Sequence, residues 1–267
     1  MSTGHDPAGR GDQQAQSQGT FTVIGDAIED GLDDPVLFLP YLAAGLLTAV
    51  VDTLRLADPV PVDVQTTGTS GLVHVRIRPF PGVVRVVQSW PGSLPGLEPT
   101  YLLSTLAANV LAVACGVAAL ALVVTRLDPK ASRDWRRVGR LFAYALAVGA
   151  LGSAFGWLSL WVGFPATALV VLGLLGVAMR TYPMPALLLR GRSIPDALGR
   201  SVELTAGHNL FTFGLVTVLG LCAHLLASAV PLLGVDLPLA VGTLLATAAV
   251  GPIHALATVH ATDLWSP

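Results

Sequence analysis

The sequence predicts an all-α membrane protein. The expected architecture is a six-transmembrane-helix bundle with N and C termini cytoplasmic, and a small β-rich extracytoplasmic loop between spans one and two. Three observations carry this expectation. Of 267 residues, 53% are hydrophobic and only 12% charged, about half the 25% of an ordinary soluble domain. The apolar residues gather into runs of about 20, the length that crosses a ~30 Å hydrocarbon core. The basic residues are sorted into a few of the connections, as the positive-inside bias requires. This composition excludes soluble enzymes and disordered chains, and a net charge of −2 gives no attraction to nucleic acid.

Residues 1–20 are Gly, Ser, Gln and Asp with almost nothing apolar, which predicts a disordered acidic tail ahead of a membrane domain over 21–267. Seven of the 17 acids lie within the first 34 residues. Phe21, Ile24, Ile28 and Leu32 recur at helical spacing, with Asp26, Glu29, Asp30 and Asp33 on the other side. An amphipathic helix is expected there. Surface helices that bind anionic headgroups are basic, so docking onto the protein's own cytoplasmic face is expected instead. Acids rather than bases precede the first apolar run, so no cleavable signal peptide is predicted.

The spans are expected at about 35–56, 101–124, 141–162, 164–189, 209–231 and 237–262. Span four is interrupted by Arg180, Pro183 and Pro185, and reads as a helix broken at its inner end with Arg180 snorkelling to the interface. With the N-terminus inside, eleven of the 15 basic residues are cytoplasmic; only Arg55, Arg76, Arg78 and Arg85 lie outside. Trp90, Trp135, Trp161 and Trp265 fall near span ends, where amphipathic rings prefer the interface.

The outer insert, 58–100, alternates apolar and polar residues over Val60–Val64 and Leu72–Arg78 and has a β-branched run at Val83–Val87. Two or three short antiparallel strands are expected, resting on the outer helix ends because so small a sheet needs support. Ser193-Ile-Pro-Asp196 is a helix-start pattern. Ile194, Leu198 and Val202 then form the apolar stripe of a short helix along the cytoplasmic interface.

Three segments together resemble a broad prokaryotic family of integral membrane proteins related to the glycerophosphoryl diester phosphodiesterase membrane domain. Asp33-Asp-Pro-Val-Leu-Phe-Leu-Pro40 is similar to the family's lead-in to its first span. Pro185 through Ser201 resembles its apolar run followed by a short basic motif, and Ala257 through Leu264 its final helix. The resemblance implies architecture over most of residues 21–264. It does not carry phosphodiesterase activity, because in fused members hydrolysis belongs to a separate soluble barrel. The long outer insert departs from the pattern. Fourteen arginines against one lysine also fit a GC-rich prokaryotic genome.

Ionisable residues within spans are the first places to look for chemistry. Asp52, near the outer end of span one and close to Arg55, reads as a helix-end residue. Gly214, Thr217, Gly220, His224 and Ser228 form one polar or small stripe in span five; Thr243, Thr247, Gly251, His254, Thr258 and Thr262 form another in span six. The polar intramembrane candidates are therefore His224, His254, Thr247 and Thr258, on stripes expected to face each other. Close packing and a polar path are both compatible with this arrangement. At 1.5 Å per residue, His224 and His254 differ by roughly 15 Å in depth, too far for a shared metal. His208 and His260 are both expected at the cytoplasmic interface.

No catalytic group, metal site or cofactor is assigned. Cys115 and Cys222 sit in apolar runs and read as small buried hydrophobes. Gly68-Thr-Ser-Gly71 matches a short protease-like pattern, but in a polar turn rather than at the start of a buried helix. The expected partner is the lipid bilayer of the cell (cytoplasmic) membrane. Small residues spaced four apart in span three (Ala145, Gly149, Ser153) leave a protein partner or a homodimer open. The expected role is a non-catalytic scaffold, assembly or regulatory component. The alternative is a small-solute or lipid-handling transporter using a polar path between spans five and six.

Overall fold

The computed structural model describes residues 19–58, 60, 62–64, 80–89, 97–159, 164–232 and 238–266. The elements, in order, are α1 (Thr20–Asp33), a 3-10 turn (Pro35–Phe38), α2 (Leu39–Ala57), β1 (Val62–Val64), β2 (Val87–Ser89), α3 (Pro99–Leu127), α4 (Trp135–Ser159), α5 (Phe164–Arg180), α6 (Met184–Leu189), α7 (Ile194–Thr205), α8 (Asn209–Leu232) and α9 (Ala240–Leu264). Five helices are long and apolar enough to cross a membrane: α2 with its preceding turn, α3, α4, α8 and α9. The fourth expected span divides. Its helix α5 stops at Arg180 after 17 residues, and a turn at 181–183 separates it from the six-residue α6. Pro183 and Pro185, which remove backbone donors, account for the break.

Helix α9 is the hub. Two thirds of its most apolar window is buried, against 17% for α4. It packs on α1, α2 and α8, and glycines set how closely. A Cβ on Gly242 would overlap the Ala227 carbonyl of α8, and one on Gly251 would enter the Tyr41 ring of α2. Replacing Gly242 by alanine is therefore expected to cost about 1–3 kcal/mol by overpacking. A thermal-unfolding assay in detergent checks this. Gly149→Ala is the control, since a Cβ there meets nothing within 4 Å.

Outward faces are rich in large apolar side chains: Leu46, Leu47, Val50 and Leu54 on α2, Leu103 and Leu106 on α3, Leu169 and Leu172 on α5. In water such a surface would be an aggregation liability; in lipid it is the solvent-matched side.

Helix α1 does dock onto the bundle, but not through the expected stripe. Val23, Ala27 and Gly31 are buried, while Phe21, Ile28 and Leu32 are exposed. Thr20 donates to the Phe211 carbonyl of α8, and a Cβ on Gly214 would strike Thr20. Close approach selects the small residues for the protein side. Helix α1 thus has a protein face, an acidic face and a large apolar face. On α7, too, the stripe Ile194, Leu198 and Val202 is exposed, and Ala197, Ser201, Leu204 and Thr205 are buried. Its start is the one the sequence pattern marks: the Ser193 hydroxyl accepts from the Asp196 amide.

Ion pairs gather the helix ends at one end of the bundle. Arg126 binds Asp34 through two nitrogens, at 2.7 and 3.2 Å. His260 meets Asp30 at 3.0 Å. Arg190 bridges Asp128 and Asp263, each at 2.5 Å. Burial works against the Arg190 charge, but hydrogen bonds and attraction from the two carboxylates outweigh it and hold its pKa above the usual arginine value. Helix α1 and the C-terminal end of α9 therefore share this end.

Candidate functional site

The expected support of the outer insert on the outer helix ends is not what the structure shows for its last part. Residues 62–64 and 87–89 pair antiparallel, with Val62 opposite Ser89 and Val64 opposite Val87. Leu72–Arg78, the Gly68–Gly71 turn, Trp90 and Trp161 lie outside the described residues. Before β2, however, Phe80–Val87 runs inward as a re-entrant segment between α2, α3, α8 and α9.

Four contacts fix its depth. The Tyr41 hydroxyl, at the start of α2, donates to the Pro81 carbonyl at 2.8 Å. A Cβ on Gly116, in the middle of α3, would lie 3.0 Å from the Val83 nitrogen and 3.2 Å from the Gly82 Cα. The Phe80 ring meets Tyr144 of α4 edge-on at 6.3 Å. At the other end, Val87 adjoins Asp52. Tyr41 and Asp52 are eleven residues apart on α2, about 16 Å of helix. Six extended residues from Pro81 to Val87 span about 20 Å, so the lengths agree.

An extended chain inside an apolar bundle must find partners for its amides and carbonyls, since lipid and hydrocarbon side chains supply none. Here side chains replace a neighbouring strand. The Thr247 hydroxyl accepts from the Val84 amide at 3.0 Å and is 3.1 Å from the Val84 carbonyl, to which it donates. The Thr243 hydroxyl accepts from the Val86 amide at 2.9 Å and donates to Asp52 at 2.6 Å. Gly82 closes a tight turn onto the Phe80 carbonyl at 2.8 Å.

Asp52 is the electrostatic centre, and not a helix-end residue. Its side chain is fully buried and pairs with Arg85 through Nε at 2.8 Å and Nη2 at 2.7 Å. Arg85 also donates to Asn109 of α3 at 2.8 Å. Arg55 pairs with Asp58 at 2.8 Å and donates to Ser104 at 3.1 Å and to Thr105. Both charges at the Asp52–Arg85 contact are thus compensated, the condition under which a buried pair is tolerated.

The histidine and threonine candidates divide. Thr247 belongs to this assembly. His254 lines a water-sized cavity beside the segment, with Gly82 and Val84 from the segment, Gly220 and Ala223 from α8, and Gly251 from α9. Its ring stacks on Tyr182 at 5.6 Å. Thr258 donates to the His254 carbonyl of its own helix. His224 is buried on α8 and is not part of the cavity lining. The two polar stripes do not simply face each other: segment 80–87 takes Thr243 and Thr247, Tyr41 takes Gly251, Thr20 takes Gly214, and Thr217 is exposed.

At the opposite end, His208 stacks on Trp265 at 5.2 Å while His260 meets Asp30, so each has its own partner. Cys115 is partly buried and Cys222 exposed on α8, which differs from the expected buried role. Among the described residues, no three His, Cys, Asp or Glu side chains come together as a metal site would need.

Sequence reading missed Arg85, Tyr41 and Asn109. A signal for Arg85 was present: an arginine centred in the β-branched run Val83-Val-Arg-Val-Val87, with an aspartate in the last turns of a span.

Comparison with protein-family models, curated proteins and solved structures gives no match. The chain is a helical protein with five helices long and apolar enough to cross a membrane, consistent with a multi-pass membrane protein, and with a re-entrant segment locked among its helices.

Proposed function

We propose that this protein is a non-catalytic membrane scaffold or assembly component, built on six spans with both termini cytoplasmic. The observation that supports it best is how the interior is filled. The polar groups that would line a path on α9, Thr243 and Thr247, are used to hold the protein's own backbone. The cavity next to them is water-sized. A transporter for solutes needs a site on the scale of its cargo, so the alternative of a path past His254 is the weaker reading.

For the sixth span we take α5. Its 17 residues lie at the short end of the spanning range and reach about 26 Å. Eleven basic residues on the inner side against four outside agree with that count. The family resemblance supports the architecture. A single bilayer as partner, with other proteins recruited to exposed faces, follows from the same reading.

Proteoliposomes test it. Release of ions, glycerol and amino acids is expected to match that of empty vesicles. Flux above that background, lowered by His254→Ala or Thr247→Val in protein that still folds, would replace the scaffold with the transporter.

A further inference from the structure

Basic side chains crowd one corner at the α1 end of the bundle beyond what local carboxylates neutralise. Lys130, Arg133, Arg136, Arg137, Arg140, Arg190 and Arg192 lie on the α3–α4 connection, the start of α4 and the α6–α7 turn. Four acids belong to the same corner, one of them Asp196, which meets the Ser193 hydroxyl at the start of α7. Asp128 and Asp263 are taken by Arg190. The Asp134 carboxylate accepts the Arg136 amide at the start of α4, at 3.1 Å.

The chain itself brings the other guanidinium groups together. Arg137 donates to the Leu189 carbonyl at 3.0 Å. Arg140 donates to the carbonyls of Gly191 and Arg192, at 3.3 and 3.2 Å. Gly191 makes this possible: its φ is +98°, and a Cβ there would lie 3.0 Å from the Arg137 guanidinium carbon. Only glycine adopts that conformation without cost and leaves room for the arginine. Neutral carbonyls hold these cations in place without cancelling their charge, and a guanidinium has five donors, more than these bonds use.

The rim of this corner is apolar. Trp135, the first residue of α4, is 86% exposed. Ile194 and Leu198, also exposed, follow Arg192 on α7. Tryptophan at a span end marks the level of lipid headgroups, and basic pockets at that level attract anionic lipids. Water-soluble phosphate would use the cations but not the ring and the aliphatic rim.

We propose that Arg136, Arg140 and Arg192 bind the phosphate of an anionic phospholipid headgroup, with Trp135, Ile194 and Leu198 seated among the neighbouring lipid chains. The site is independent of whether the protein is a scaffold or a transporter. It also separates the two interfacial helices: α7 borders anionic lipid, whereas the acids of α1 turn its exposed face toward uncharged lipid.

The experiment uses the full chain in phosphatidylcholine nanodiscs doped with phosphatidylglycerol, with lipid retention read by native mass spectrometry. The wild type should retain phosphatidylglycerol in preference to phosphatidylcholine. Arg136→Gln with Arg192→Gln, neither of which removes the carbonyl bonds of Arg137 or Arg140, should weaken retention about 25-fold, or about fivefold per charge. Trp135→Ala, which keeps every charge, should also lower it. A saturating concentration of inorganic phosphate should leave the lipid bound. Equal retention of the two lipids, an unchanged double variant of native melting temperature, or displacement by inorganic phosphate would each overturn the proposal, the last by making this a free-phosphate site.

Discussion

Replacing Asp52 by alanine is expected to destabilise the fold by about 3–5 kcal/mol, because it leaves Arg85 buried without its counter-charge. The Arg85 side chain is 8% exposed and that of Asp52 not at all, so water cannot compensate. Asn109 still accepts one bond from Arg85, but a neutral acceptor does not replace a carboxylate. The loss also reaches Thr243, which donates to Asp52 while it holds the Val86 amide. Asp52→Asn should fall between alanine and wild type. Leucine at both positions 52 and 85 should recover much of the loss, since apolar substitutes for a buried pair are often tolerated. Chemical denaturation in detergent micelles, followed by circular dichroism, measures all four. If Asp52→Ala melted like the wild type, the pair would not be buried as described.

The second large effect belongs to the hydroxyls. Thr243→Val with Thr247→Val keeps the shape of the α9 surface and removes the partners of the Val84 amide, the Val84 carbonyl and the Val86 amide. Each buried backbone group left unsatisfied costs about 1–3 kcal/mol, so the pair, with three such groups, should lose on the order of 3–9 kcal/mol. Thr258→Val with Thr262→Val is the matched comparison. Those hydroxyls donate to carbonyls one turn back on their own helix, Thr258 lying also beside the Tyr182 hydroxyl, and neither holds another segment's backbone, so their removal should cost less, about 1 kcal/mol. Four buried threonines on one helix are thus expected to split two against two. Equal effects would mean that the stripe serves only helix packing.

Much of the architecture is legible in the composition. The helical spans follow from runs of apolar residues long enough for a bilayer. The start of α7 follows from Ser193 and Asp196, and the break after Arg180 from two prolines. The protein-facing side of α1 was assigned the wrong way round for a specific reason. Periodicity finds an apolar stripe but not its solvent. In a membrane protein the large side chains of an interfacial helix turn toward lipid, and the small ones, Val23 and Ala27 or Ala197 and Ser201, turn toward the bundle. The stripe on α9 was also visible, but its partner was not. No local pattern says that a segment 160 residues earlier in the chain will enter the bundle and lay its amides on Thr243 and Thr247. Only Asp52 and Arg85, two charges set among apolar residues, hinted at it, because two buried charges must find each other.

The central claim is that residues 80–87 thread into the middle of the bundle. It is tested most directly by a disulfide between Gly82→Cys and Gly116→Cys, in a background with Cys115 and Cys222 replaced by alanine. A Cβ on Gly116 would lie 3.2 Å from the Gly82 Cα, but one on Gly82 would press on the Phe80 ring at 2.9 Å, so both cysteines are introduced with Phe80→Ala, which frees the space a disulfide needs. Oxidation in native membranes, followed by mass spectrometry of the linked peptides, is predicted to join 82 to 116. It should leave 82 unlinked to Ser104→Cys, which is twelve residues and about 18 Å further toward the other end of α3. A link from 82 to 104, with none to 116, would place the segment on the bundle's surface and contradict the account.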